Sequence, residues 1–261
     1  LRRQRQMCIR DRVVLVTGGG RGIGQAIALG FAREGASVAV NAAHLSTAEE
    51  TANQICQAGG RAIAIAANVA GEEQVNAMVD RVLAELGGLD ILVNNAGISQ
   101  PLVPLVEQDT ADWDRVMSIN LRGTYLCCKA AARHMIPRKA GNILNIGSIT
   151  AHTGPPMRTA YAPSKAAVVN LTMVLGVELA KHNINVNSIS PGYVLTDLVE
   201  NFVSQGKVNE DAVLRRPPLG RMSTTEDIAK AALFLTSEDA RNITGTDLLV
   251  DAGWTANGYY M

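Results

Sequence analysis

The chain has 261 residues, 47% of them hydrophobic and 18% charged, with 24 Lys and Arg against 24 Asp and Glu. That balance leaves no field to gather nucleic acid or anionic lipid, and the composition excludes collagen-like, disordered and disulfide-scaffold classes. Aromatics at 4% against 24 glycines leave Ala, Val, Ile and Leu to build the core, as in α/β proteins with buried parallel strands.

Residues 1–12, LRRQRQMCIRDR, hold five Arg and one Asp, have no apolar period and resemble translated sequencing-adapter sequence. They read as a non-native or disordered tail ahead of a single domain over 13–261. From Val13 onward short apolar runs alternate with segments of helical period, the pattern of repeated β-α units. Strands are expected at 13–16, 38–40, 62–66, 91–93, 142–146, 185–189 and 248–250, with helices at 23–34, 47–58, 72–86, 112–136, 161–182 and 225–236. Without a linker or an internal repeat, this predicts one Rossmann-like, doubly wound α/β domain with a seven-stranded parallel sheet. The irregular stretch at about 195–223 is expected to cover a substrate.

The first strand runs into Thr17-Gly18-Gly19-Gly20-Arg21-Gly22-Ile23-Gly24, followed by a helix. Glycines let the backbone reverse and approach a diphosphate, and the helix N-terminus offers free N–H groups, so Gly18, Gly22, Ile23 and Gly24 are read as binding a dinucleotide. A phosphotransferase loop fails because Gln25 stands where it needs Lys. The second strand ends Val40-Asn41-Ala42-Ala43-His44 with no acid to repel a 2′-phosphate, and Arg21 could pair with one. NADP is therefore preferred over NAD.

Tyr161-Ala162-Pro163-Ser164-Lys165 puts a phenol and an ammonium on one helix face. An ammonium about 5 Å from the phenol, at an effective dielectric near 20, stabilises the phenolate by ~3 kcal/mol, roughly two pKa units, which suits a proton shuttle. Ser148, after the strand at 142–146, is placed to bond a substrate oxygen. A nucleophile elbow needs glycines where Ile146 and Thr150 stand.

Together these residues resemble the short-chain dehydrogenase/reductase family from about Val13 to Gly253: Thr17, Gly18, Gly22 and Gly24 match T-G-x-x-x-G-x-G, Asn94-Asn95-Ala96-Gly97 matches N-N-A-G, and Tyr161 with Lys165 matches Y-x-x-x-K. The resemblance implies a catalytic set of Asn120, Ser148, Tyr161 and Lys165. Tyr161 then serves as the acid and base for hydride transfer at nicotinamide C4, Lys165 lowers its pKa and holds the nicotinamide ribose, and Asn120 extends a proton relay. It also implies cofactor contacts from Asn68 and Val69, from Asn94, Ala96 and Gly97, and from Pro191, Gly192, Val194 and Thr196.

The expected function is NAD(P)-dependent oxidoreduction of a ketone or secondary alcohol, with a sugar or polyol and a 3-oxoacyl thioester both open as substrates. A cofactor-binding regulatory protein without turnover is the alternative. Pocket positions are expected at Ile149, Thr150, His152, Met157, Tyr193 and within 197–216, and Arg133, Arg138 and Lys139 form a conceivable docking patch for an acidic carrier, with scattered solvated charges the plainer account. The resemblance implies a homotetramer built partly on the helices at 112–136 and 161–182. Val168, Leu171, Val174 and Leu175 fit one buried helix face, and Trp254 with Tyr259-Tyr260 pack against a neighbour or cover their own core. Cys8, Cys56, Cys127 and Cys128 show no metal-ligand spacing with any histidine, and no apolar run reaches the ~18 residues of a membrane span, so a cytoplasmic protein without metal, membrane or nucleic-acid partner is expected.

Overall fold

The first strand, β1 (Val13–Thr17), is buried at all five positions, which is stable only between two apolar layers. A computed structural model describing residues 9–196 and 210–258 supplies both layers. Successive β1 side chains alternate between them: Val14 and Val16 join Ile27, Phe31 and Ile228 on one face, while Val13 and Leu15 join Val75, Leu126 and Leu179 on the other.

The chain continues through α1 (Gly22–Arg33), β2 (Ser37–Ala42), α2 (Leu45–Gln57), β3 (Arg61–Ala66), α3 (Glu72–Leu86) and β4 (Ile91–Asn94). Then come α4 (Thr110–Met117), a π-helical turn (Ser118–Arg122), α5 (Gly123–Arg138), β5 (Gly141–Ile146), α6 (Tyr161–Ala180) and β6 (Ile184–Pro191). The last elements are β7 (Val194–Leu195), α7 (Glu210–Arg215), β8 (Ser223–Thr224), α8 (Thr225–Leu235) and β9 (Asp247–Val250). Seven strands pair in parallel in the order β3-β2-β1-β4-β5-β6-β9, as the alternating pattern predicts. Strand order reverses between β1 and β4, so the loops leaving their C-terminal ends diverge and open a crevice there.

The structure departs from expectation in four places. The helix expected over 112–136 is interrupted by the π turn, which widens the coil around Asn120. The insertion contains a short parallel ribbon, β7 beside β8, and Thr224 at its end makes a reciprocal capping box with Asp227 of α8. On α6 the buried stripe runs through Lys165, Val168, Val169, Thr172, Gly176 and Leu179, with Gly245 backbone packed where a Gly176 side chain would stand. Val174, expected in the buried face, is 52% exposed, because it lies off that stripe. Finally, residues 9–12, expected in the tail, belong to the fold: Ile9 is buried in the core with Val38, and the Asp11 N–H and the Arg12 carbonyl bond to Gly35 and Ser37. Residues 1–8, including Cys8, the 197–209 part of the pocket stretch expected within 197–216, and Tyr259-Tyr260 lie outside the described residues.

Among the described residues no helix is long and apolar enough to cross a membrane, and no group of three or more His, Cys, Asp or Glu is gathered to hold a metal ion.

Candidate active site

The glycine turn borders the crevice beside β4. Gly18 (φ +61°) and Gly22 (φ +56°) are left-handed, a conformation glycine adopts without a Cβ penalty. At Gly24 a methyl group would run into the Gly18 carbonyl and the Asn95 amide, so that glycine is required by packing. Asn95 locks the turn, donating from Nδ2 to the carbonyls of Thr17 (3.1 Å) and Gly18 (2.9 Å). Thr17 Oγ1 accepts the N–H groups of Asn95 and Ala96. Gly22 faces Thr196, whose Cγ2 is 3.7 Å from where a Cβ would sit, so the end of β7 overhangs the turn. Arg21 is exposed at the N-cap of α1 and makes no ion pair among the described residues.

Several residues expected along the cofactor prove to have internal partners. Asn94 is buried and donates to Asn145 Oδ1 (2.9 Å) and Cys128 Sγ, so its side chain points away from the crevice; Ala96 and Gly97, just past it, stay at the crevice edge. Asn68 is exposed, with Oδ1 accepting the Ala70 N–H, and Val69 is buried against Gly123. Pro191 ends β6, the Gly192 N–H bonds to the Val250 carbonyl, and Val194 is buried.

The four expected catalytic residues converge beyond the C-terminal end of β5. Ser148 caps the turn Ile149–Ala151, accepting the Thr150 N–H, and its hydroxyl is hydrogen-bonded to the Tyr161 phenol. Lys165 Nζ donates to the Ile146 carbonyl at 2.7 Å and lies 5.8 Å from the Tyr161 ring centroid. Asn120 Nδ2 donates to the Ile98 carbonyl (2.9 Å) and to Ser164 Oγ (3.1 Å), while its Oδ1 accepts the Ile98 N–H. Gly97 closes the group: a Cβ there would stand 3.3 Å from Asn120 Oδ1 and 3.6 Å from Lys165 Nζ.

The electrostatics correct one expectation. Burial pushes the Tyr161 phenol above its ordinary value, with the Ser148 hydrogen bond and the Arg158 charge opposing that rise. Burial also pushes Lys165 down to about 8. The ammonium is therefore not the source of an acidified phenol: it aims at a carbonyl, and desolvation outweighs the charges around the ring.

One residue that positions the site, Gln100, carries no pattern in the sequence, whereas His152 is among the expected pocket positions. Gln100 Oε1 accepts the N–H groups of both Ala160 and Tyr161 at 2.7 Å, fixing the start of α6 from sixty residues away. His152 Nε2 meets Asp247 Oδ2 at 2.7 Å, and Asp247 Oδ1 accepts from Ser188 (2.6 Å) and Ser190 (3.0 Å), anchoring the turn after Ser148 to β6 and β9. Of the expected pocket, Ile149 is buried, and Met157 and Tyr193 are exposed; Tyr193 packs edge-on to Trp254, over which Arg216 stacks at 3.6 Å. In the expected docking patch Arg138 is engaged with Asp90 (2.6 Å) and the Leu89 carbonyl.

The family model described as Enoyl-(Acyl carrier protein) reductase matches residues 18–255. The chain belongs to the short-chain dehydrogenase/reductase family. This dehydrogenase/reductase is 40% identical over 246 residues to the cis-4-hydroxycyclohexanecarboxylate dehydrogenase of Sinomonas cyclohexanicum, covering 94% of this chain and 97% of that protein. It is 38% identical over 244 residues to a 3-oxoacyl-[acyl-carrier-protein] reductase of Synechocystis sp., covering 93% and 96%. Among solved structures it resembles a 7α-hydroxysteroid dehydrogenase complexed with NADH and 7-oxo glycochenodeoxycholic acid, with TM-score 0.90, 34% identity and 96% of each chain covered. A short-chain type dehydrogenase/reductase from Mycobacterium marinum aligns with TM-score 0.89 and 37% identity over 95% of this chain and 97% of that one. The chain is thus an oxidoreductase of a family that uses NAD(P)(H) and acts on CH–OH or carbonyl groups.

Proposed function

We propose that the enzyme interconverts a ketone and a secondary alcohol, with Tyr161 as the proton donor and acceptor. The observation that supports this most is the convergence of Ser148, Tyr161, Lys165 and Asn120 at the end of β5, next to the crevice between β1 and β4. The crevice suits a nicotinamide dinucleotide: left-handed glycines leave room for a diphosphate at the start of α1, and Gly97 keeps the space beside Lys165 free of a side chain. Such a cofactor, when bound, supplies or takes the hydride.

The chain's own residues do the rest. Ser148 orients the substrate oxygen by hydrogen bonding. Tyr161, whose raised pKa keeps it protonated near neutrality, passes its proton to the carbonyl oxygen during reduction. In oxidation the hydroxyl proton returns to the phenolate. Lys165, cationic below about 8, holds the ribose, while Asn120 fixes the backbone at Ile98 and the helix at Ser164. NADPH is the preferred partner: Arg21 offers an unpaired guanidinium among the described residues, and the end of β2 offers no acid. A kcat/KM favouring NADH would reverse that preference.

The relatives' names extend the substrate range from a 3-oxoacyl thioester to a ring alcohol, beside the sugar or polyol that the pocket composition admits. A homotetramer is favoured by apolar side chains left outside on α5 and α6, including Tyr125 at 47% and Val177 at 81% exposure. Tyr161→Phe tests the chemistry. It is expected to lower ketone reduction, followed by NADPH absorbance, by at least about 10²-fold while NADPH still binds in a fluorescence titration. Unchanged turnover would remove Tyr161 from its role.

A further inference from the structure

Between Ser148 and Tyr161 the chain passes Met157-Arg158-Thr159-Ala160, and this segment is held firmly. Thr159 Oγ1 donates to Gln108 Oε1, Trp113 Nε1 donates to the Thr159 carbonyl at 3.3 Å, and Gln100 takes the N–H groups of Ala160 and Tyr161. Arg158 projects from that fixed base. Its guanidinium carbon lies 5.7 Å from the Tyr161 ring centroid, and its charge is felt at the phenol. One N–H group donates to Ser99 Oγ.

Among the described residues no carboxylate lies within ion-pair distance of Arg158, and what sets it apart from other unpaired arginines such as Arg21 is its place on the Tyr161 ring. A guanidinium carries five N–H donors in a planar fork that matches a carboxylate. Arg158 thus stands partly buried beside the reacting phenol with most of its donors and all of its charge uncompensated. Solvation of a surface arginine would not require so rigid a base, nor a place on the ring of this tyrosine.

We propose that Arg158 binds an anionic group of the substrate, so that the enzyme acts on oxo acids and the corresponding hydroxy acids. The inference rests on the reading of Tyr161 as the site of proton transfer: the carbonyl held at the phenol fixes one end of the molecule, and a carboxylate on Arg158 fixes the other. The two contacts together set which face of the carbonyl is presented and favour acids with the two groups a few carbons apart.

The test pairs acetoacetate, levulinate and 3-oxocyclopentanecarboxylate with their methyl esters, which keep each skeleton and remove the charge. With NADPH, at least one acid is expected to exceed its ester in kcat/KM by about tenfold or more, in the range of a charge-assisted bidentate contact. In Arg158→Met that ratio falls towards one, and Arg158→Lys retains part of it; ester turnover also falls, because Arg158 faces the phenol, so the ratio is the readout. A second measurement titrates the acids calorimetrically into NADPH-loaded Tyr161→Phe, with and without Arg158→Met. Ketone reduction without an acid-over-ester preference, or a preference that survives Arg158→Met, overturns the inference and leaves the oxidoreductase reading intact. Acid binding that depends on Arg158 but no reduction of any ketone supports the inference while defeating the assigned chemistry. Neither reduction nor Arg158-dependent binding overturns both.

Discussion

Lys165 is a buried amine whose proton affinity burial has lowered to about 8, so its charge changes within the working range of an enzyme. Below about 8 it is an ammonium able to hold a ribose hydroxyl; above, it is a neutral amine that does so less well. The kcat/KM for NADPH, which reports groups of the free enzyme, is therefore expected to fall as pH rises through about 8. Lys165→Arg, whose guanidinium keeps its proton, should be slower but without that inflection; an unchanged inflection in this variant would assign it elsewhere. The sequence already places Tyr161 and Lys165 one helical turn apart, and that much is visible because i, i+4 spacing is a local rule. The sign of the tyrosine shift is not, because it depends on how far the ring is desolvated and on where Nζ points. Those are properties of the packed site. Gln100 is invisible for the same reason: a lone glutamine in a loop carries no period, and its two acceptor contacts exist only once α6 has docked.

At the scale of elements, the strands and most helices are readable because apolar runs and helical periods are written in consecutive residues; the widened turn at Asn120 and the β7–β8 ribbon depend on contacts made at a distance. The turn carrying Ser148 shows how such contacts matter. It is fastened by His152 to Asp247, a carboxylate with 9% side-chain exposure whose other oxygen already takes two serine hydroxyls. Removing the imidazole leaves Asp247 Oδ2 short of a partner in a largely dry place, a loss of about 1–3 kcal/mol. The Arg33–Glu226 pair, by contrast, has side chains 60% and 45% exposed and should contribute less than about 1 kcal/mol. His152→Ala is thus expected to lower the melting temperature by several degrees and to raise the ketone KM several-fold, while NADPH affinity stays near the parent's and Arg33→Ala scarcely shifts the melting curve. Equal destabilisation by the two substitutions would show that the His152 contact is no more than a surface pair.

The whole molecule leaves a conspicuous apolar face. Met117, Leu121, Tyr125 and Leu171 line a cleft formed where α4, the π turn, α5 and α6 meet, and Val174 and Val177 stand exposed further along α6. Exposing such side chains individually is ordinary, but grouped on two neighbouring helices they form the kind of patch that self-association buries. Each fully buried Val or Leu contributes about 1.5–3 kcal/mol, so a handful contributed by both copies outweighs the rotational and translational cost of pairing in an isologous contact. The same α6 begins with Tyr161 and Lys165, so pairing through its later turns would also steady the helix that presents them. Light scattering coupled to sizing chromatography is expected to find an assembly larger than the monomer. A charge at Val177, 81% exposed in the single chain and so without a structural role inside it, should shift the assembly to smaller species. Val177→Glu should keep the parent's far-ultraviolet dichroism, since nothing in the core touches that residue's place, while turnover falls in proportion to dissociation. A monomeric parent, or a Val177→Glu variant with the parent's mass, would mean that this face serves something other than a second copy.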